Sequence, residues 1–251
     1  MNKSIFLSAV ICCILFSFQA AAAQDTLHSR FGIAFGASNN IHSADFNALP
    51  GIPGGSTNFT TGDGSGLAIS LLYEYPLNDR ILFGVRLGYM DHSATLTAAS
   101  EKADVIINGE TKSGDYARSI DAVVSSFGLE PRVCIRAIKG LLLSAGLRIG
   151  LISSAKYIQR ETAATGTFPD STGRDTKSKI RNQYAGDLPN ASSTLLQGVF
   201  SLGYEFPLNK KHTTFIVPEI AYTPALTNLI KDLSWKTNAV VYGVALKFSL
   251  D

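Results

Sequence analysis

Cysteine and histidine are scarce in this chain. Of its three cysteines, two lie in the apolar N-terminal stretch and only Cys134 lies beyond it, so no intrachain disulfide is expected in a processed protein. The four histidines are far apart in the sequence and show no metal-ligand spacing. We therefore expect neither a metal site nor a cofactor.

An excess of charge of either sign is also missing. The formal net charge is +2, and removal of residues 1–23 takes away only Lys3, which leaves +1. A nucleic-acid partner would require a strongly basic face, so we expect none.

Long apolar runs are confined to the N-terminus, where residues 5–18 are apolar and Ala21-Ala22-Ala23 follow. One positive charge, a short apolar core and small residues of this kind are typical of a secretory signal peptide. A membrane-spanning helix needs about 20 apolar residues, and no later stretch approaches that length. We predict a signal peptide over residues 1–23, cleaved near Ala23, and a single domain over residues 24–251.

What the chain does have is period-2 alternation, the pattern of a half-buried strand. In residues 81–89 every odd position is large and apolar, whereas the even positions include two glycines and Arg86. The same alternation is clear in 66–75, 81–89, 141–150 and 240–248, and weaker in 31–37, 120–137, 195–206 and 214–222. The pattern predicts eight strands.

The connections between these strands fall into two alternating classes. Short ones are predicted at residues 76–79, 138–140 and 207–212, and long polar ones at 38–65, 91–118, 156–193 and 223–236. Short turns at one end and long loops at the other are the organisation of an up-and-down antiparallel transmembrane β-barrel. We therefore predict an all-β fold, an eight-stranded barrel of this kind.

The alternation leaves open which face meets water, because a secreted lipocalin-like barrel has the same period with its apolar face inward. Here the less apolar face consists mostly of Gly, Ala and Ser, as the interior of a narrow barrel requires. Aromatic residues also stand near the strand ends, where they would meet the membrane interfaces. They are Tyr75, Tyr89, Phe206, Tyr222 and Phe248. Both features favour the membrane barrel.

The segments Tyr73-Glu74-Tyr75-Pro76-Leu77-Asn78, 83–89 (FGVRLGY) and 242–248 (YGVALKF), together with the signal peptide and the loop asymmetry, resemble the small bacterial outer-membrane β-barrel family, the OmpA/OmpX-like class with its PorT-like relatives. The resemblance covers residues 24–251. It implies a location in the bacterial outer membrane, with outer-membrane lipid and the outer-membrane assembly machinery as partners.

Charged residues of both signs fall at the alternate strand positions that are predicted to point into the barrel. Charges in a narrow interior must be paired to be tolerated, so we expect a structural ion-pair network that fills the lumen. A proton or solute path is the alternative. The predicted members are Glu74, Arg136, Glu205 and Lys247 near the short turns, with Arg86, Glu130, Arg132, Arg148 and Glu219 near mid-height.

Catalysis would need a nucleophile and a base, and the best candidate is Asp91-His92-Ser93 at the outer end of the third strand. A serine next to a histidine on a strand points to the opposite face, so no catalytic residue is predicted. We expect a non-catalytic structural or surface-interaction protein that could bind a surface ligand through its long loops, which include the mixed-charge segment 156–181. A narrow pore is the alternative, followed by a lipid-modifying enzyme and a secreted lipocalin-like binder.

Overall fold

The computed structural model describes residues 28–138 and 140–250, so the predicted signal peptide lies outside the described residues. In the described ranges, no helix is long and apolar enough to cross a bilayer. The regular structure consists of antiparallel strands in one twelve-stranded sheet. The strands are β1 (Arg30–Phe46), β2 (Phe59–Pro76), β3 (Ile81–Asp91), β4 (Ala94–Thr97), β5 (Glu101–Ile107), β6 (Glu110–Ile138), β7 (Leu141–Ala163), β8 (Ile180–Asp187), β9 (Thr194–Tyr204), β10 (Phe206–Pro207), β11 (Thr214–Thr223) and β12 (Ser234–Ser249).

The strand pairings run in a closed ring. The first strand, β1, pairs with β2 on one side and with β12 on the other, from Arg30 opposite Ser249 to Asp45 opposite Ser234. The remaining pairings complete the circuit. Its order is β1, β2, β3, β6, β7, β9, β11, β12 and back to β1. These eight strands contain the eight segments in which the sequence alternates.

The count of twelve strands differs from the predicted eight because the predicted loops contain further strand structure. Strands β4, β5 and β8 lie within the predicted long connections, and the two-residue β10 lies beside a short turn. Five ring strands also extend well beyond their predicted outer ends: β1 reaches Phe46, β2 begins at Phe59, β6 begins at Glu110, β7 continues to Ala163 and β12 begins at Ser234. The predicted loop boundaries were therefore wrong, since polar outward residues in these extensions suggested loop.

The outward face of the ring is apolar over the part of the strands nearest the short turns. Along β2, Leu67, Leu71 and Tyr75 are 60%, 62% and 52% exposed, while Leu72 and Glu74 between them are buried. The same orientation holds around the ring for outward residues such as Phe35, Leu87, Phe127, Leu147, Phe200, Ile220 and Tyr242. This confirms the predicted assignment of the two faces.

The ring interior has three levels. Nearest the short turns, a cluster that includes Leu82, Cys134, Leu142 and Phe215 packs with the first charged groups. Buried charged side chains follow at mid-height. Beyond them, at the outer end, the interior becomes a second apolar core, which contains Phe46, Phe59, Leu96, Ile120, Leu229, Ile230 and Trp235.

Candidate functional site: the ring interior

Buried ion pairs occupy the interior near the short turns. Lys247 Nζ donates to both carboxylate oxygens of Glu74, at 2.7 and 2.9 Å, and to Glu205 Oε1 at 3.3 Å. Arg30 Nη1 donates to the same Glu205 oxygen at 2.7 Å, and Arg136 Nε lies 3.7 Å from Glu205 Oε2. Both Glu74 and Lys247 are only 1% exposed, so this ion pair is cut off from water.

Arg30 belongs to this network although the sequence did not single it out. The prediction began the first strand at Phe31, one residue too late to include it. Arg30, like Gly32 and Ala34, occupies an alternate position of β1 that points into the ring. Extending the alternation by one residue would have predicted its place. Its guanidinium also stacks over the Phe215 ring, with Cζ 4.0 Å from the ring centroid.

A second network stands at mid-height. Arg86 binds Glu219 with two parallel hydrogen bonds of 2.9 and 2.8 Å, the strongest geometry available to this pair. Arg132 Nη1 lies 3.6 Å from both Glu219 Oε1 and Glu130 Oε1. Arg132 Nη2 lies 3.9 Å from Glu74 Oε1, so it connects this network to the one near the short turns.

Arg148 is placed differently from the other predicted members. Its guanidinium donates to Ser126 Oγ at 2.9 Å, to the Ser126 carbonyl at 3.3 Å and to the Gly88 carbonyl at 3.2 Å. Within the described residues, no carboxylate oxygen lies within 4.0 Å of it. Arg148 thus lies in the interior, as its parity predicts, but without the direct ion pair that was expected.

The candidate catalytic segment does not assemble a triad. His92 Nε2 is 3.0 Å from Ser126 Oγ, a distance suited to a nucleophile and its base. However, Asp91 Oδ1 accepts a hydrogen bond from the Ser93 amide rather than from His92, and His92 Nδ1 has no hydrogen-bond partner. Both His92 and Ser126 are fully buried, so no substrate can reach this pair without a rearrangement.

At the outer end, Arg118 ties the first long loop to the ring. Its guanidinium donates to the Asn47 carbonyl at 2.7 Å and to the Thr57 carbonyl, and it lies 3.1 Å from Glu101 Oε1. Glu101 also accepts hydrogen bonds from Thr57 Oγ1 and Tyr116 Oη, both at 2.8 Å. Burial alone would raise the pKa of Glu101, but these hydrogen bonds outweigh it and lower the pKa to about 2.

Small chambers remain in the interior at mid-height. The larger one has about 60 Å³ open to the centre of a water-sized sphere, and a neighbouring one about 40 Å³. The apolar clusters described above lie on either side of them along the strands. In residues 28–138 and 140–250, no group of three or more His, Cys, Asp or Glu side chains could hold a metal ion.

The fold is similar to those of several solved outer-membrane proteins. The outer membrane protein OprG from Pseudomonas aeruginosa is 14% identical over 91% of this chain and 99% of that one, with a TM-score of 0.40. Ail, the attachment invasion locus protein of Yersinia pestis, is 12% identical over 88% and 99%, with a TM-score of 0.36. The outer membrane protease OmpT from Escherichia coli is 9% identical over 92% and 99%, also with a TM-score of 0.36. No protein-family description matches the chain, and no curated protein has a matching sequence.

The membrane location follows from the ring itself. Its outward apolar residues form a continuous surface far larger than an ordinary protein exposes to water. Outward aromatic residues stand toward both edges of this surface, with Tyr75 and Phe206 near the short turns and Tyr89 and Tyr222 toward the long loops. An antiparallel ring with an apolar exterior and a polar interior is the architecture of outer-membrane β-barrels. The protein is an outer-membrane protein, in agreement with the location predicted from the sequence.

Proposed function

We propose that this protein is an eight-stranded transmembrane β-barrel without catalytic activity, closed to solutes, which acts through the loops at its outer end. The observation that carries the proposal is the filled interior. An ion-pair network between two apolar clusters occupies the interior, and the two small chambers beside it have about 60 and 40 Å³ open to the centre of a water-sized sphere. Such a barrel serves as a rigid support for surface loops, as a structural or surface-interaction protein.

Single-channel recording in planar bilayers tests the closed interior. We expect no stable conductance from the purified wild-type protein, because the side chains of Arg86, Arg132 and Glu219 fill an interior only just wide enough for them. The double variant Arg86→Ala/Glu219→Ala removes two long side chains from the mid-height level, and neither member of this ion pair remains without the other. If the removed side chains block a passage through the barrel, this variant should conduct ions in the same recording. Regular, long-lived openings of the wild type would favour the pore alternative.

Surface labelling tests the orientation of the loops. Cys134 is buried, so a Cys134→Ser background leaves no competing thiol in residues 24–251. On this background, Thr172→Cys lies in a long connection and Lys211→Cys in a short one, and both positions are exposed. A membrane-impermeant maleimide should label the first variant on intact cells and the second only after lysis. The reverse pattern would contradict the proposed orientation.

A lipid-modifying activity is the second candidate, favoured only by the 3.0 Å contact between His92 and Ser126. The burial of both residues argues against it. Lipid turnover that disappears in His92→Ala but persists in Ser93→Ala would establish the enzyme and overturn the non-catalytic proposal.

A further inference from the structure

Arg148 occupies a position shaped around its guanidinium. A Cβ atom at Gly128 would lie 2.7 Å from Arg148 Cζ, and one at Gly150 would lie 2.7 Å from Arg148 Nη1. A side chain at either position would require the Arg148 guanidinium to shift from this place. The residue itself is 5% exposed. The two glycines therefore leave room for the buried guanidinium of Arg148.

The charges around Arg148 do not balance. The mid-height network contains three guanidinium groups, those of Arg86, Arg132 and Arg148, and two carboxylates, those of Glu130 and Glu219. Both carboxylates are directed to Arg86 and Arg132. One positive charge is left over within this level, and among the three guanidinium groups it is Arg148 that has no carboxylate oxygen within 4.0 Å in the described residues. An unpaired charge in the interior is destabilising because it loses most of its hydration without gaining a counter-charge.

The larger chamber adjoins this unbalanced charge. Arg148 and Arg86 line it together with Ser70, Gly88, Thr223 and the two carboxylates. A water-sized sphere needs roughly 10–15 Å³ of open volume, so about 60 Å³ can hold a chloride-sized ion with water beside it. The guanidinium of Arg148, with only neutral hydrogen-bond partners, is the group that would attract it.

We propose that this chamber binds one small monovalent inorganic anion, such as chloride, against the guanidinium of Arg148. One such ion brings the mid-height network to neutrality, which water cannot do. The negative charges of Glu130 and Glu219 do not prevent binding, because Arg132 and Arg86 already neutralise them. The ion is a structural component of the interior, and the proposal stands whether or not the barrel conducts.

Bromide is the direct probe, because it has the charge of chloride and can be located by its anomalous scattering. Crystals of the wild-type protein grown in sodium bromide should show one anomalous peak in the chamber beside Arg148. Water alone in the chamber would overturn the proposal. This result needs no variant, so it stands even if a substitution prevents folding.

A solution measurement tests the same site by linkage. A ligand that binds only the folded state raises its stability as the ligand concentration increases. The urea midpoint of unfolding from lipid vesicles should be higher in sodium chloride than in sodium gluconate at equal ionic strength, since gluconate is too large for the chamber. The difference should increase with chloride concentration.

Three variants separate the anion site from general salt effects. Arg148→Gln should lose the chloride dependence, whereas Glu130→Gln should keep or strengthen it because it removes a negative charge and leaves the net positive charge at mid-height larger. Arg160→Gln is the matched control, since this arginine pairs with Asp121 away from the chamber and its removal should leave the dependence unchanged. Equal chloride dependence in wild type and Arg148→Gln would show that the effect arises elsewhere.

Discussion

The two halves of the ring use opposite arrangements of the same strands. Along β1, the outward residues Phe31 and Phe35 are apolar near the short turns, where Gly32 and Ala34 face inward. Further along, the outward residue is Asp45, whereas Ala44 and Phe46 point into the ring. The same alternate residues point into the ring along the whole strand. They are small near the short turns and include a large apolar side chain at the outer end.

The difference shows that the surroundings, not the backbone, decide which face is apolar. Where lipid surrounds the ring, the exterior must be apolar and the polar groups are paired inside. Where water surrounds it, the exterior is polar and the interior becomes an ordinary core around Trp235. Buried ion-pair networks therefore distinguish the membrane half, and the larger apolar core distinguishes the outer half, so each half should be most sensitive to a different substitution.

The largest effect is expected from breaking the ion pairs of the membrane half. Glu219→Ala removes the partner of Arg86 and one partner of Arg132, which leaves buried positive charge and should cost about 3–5 kcal/mol of unfolding free energy. Urea unfolding in vesicles measures it. The double variant Arg86→Leu/Glu219→Leu should be milder, and a single variant no worse than the double would contradict the pairing.

The second largest effect is expected from a lysine on the outward face, which should destabilise the membrane half much more than the outer half. Leu71→Lys places a charge in lipid and should destabilise the barrel by about 2–4 kcal/mol at the bilayer midplane. Ser43→Lys, on the outward face of the outer end, is the control and should change the unfolding free energy by less than about 0.5 kcal/mol. Equal costs would mean that lipid does not surround the part of the ring assigned to it.

A smaller effect is expected from one hydrogen bond in the outer core. Trp235 Nε1 donates to His42 Nδ1 at 2.9 Å, and both side chains are fully buried. Trp235→Phe keeps an aromatic ring but leaves His42 Nδ1 without its donor, so it should cost about 1–3 kcal/mol. Trp235→Ala should cost more in the same unfolding assay, because it also removes apolar packing against Phe46.

The smallest effect is local and depends on pH. Because the pKa of Glu101 is lowered to about 2, its carboxylate stabilises the first long loop fully above the ordinary value of 4.5 and progressively less as the pH falls toward 2. Hydrogen exchange of the Thr57 amide, which donates to Glu101 at 3.1 Å, should therefore become less protected in that window. Glu101→Gln should remove this pH dependence, and protection that is constant down to pH 2 in the wild type would contradict it.

The ring could be predicted from the sequence because period-2 alternation survives in every strand that crosses the membrane. The outer extensions of β1, β2, β6, β7 and β12 were missed because their apolar residues move to the inward face. Polar outward residues such as Asp45 and Lys156 then suggested loop. The alternation also predicted that nine charged residues point into the interior, but it could not predict which of them form ion pairs with one another.

Pairing across the ring depends on the stagger between strands, which the sequence does not reveal. Arg86 and Glu219 come together from strands on different sides of the ring, whereas Arg148 on the same parity reaches only Ser126 and Gly88. The network can thus be predicted as a set of residues. Its geometry, and the unbalanced charge within it, required the structure.

The pairing of β1 with β12 also determines when the barrel can finish folding. Its partners, such as Arg30 and Ser249, are 249 − 30 = 219 residues apart in the sequence, so the loop they close is very long. Long-range pairing of this kind is slow, because chain entropy is lost before any contact is gained. Until this seam closes, both edge strands carry backbone groups without partners, which lipid does not tolerate. Closure and insertion must therefore advance together, and variants that weaken the seam should accumulate as unfolded precursor rather than as an open sheet in the membrane.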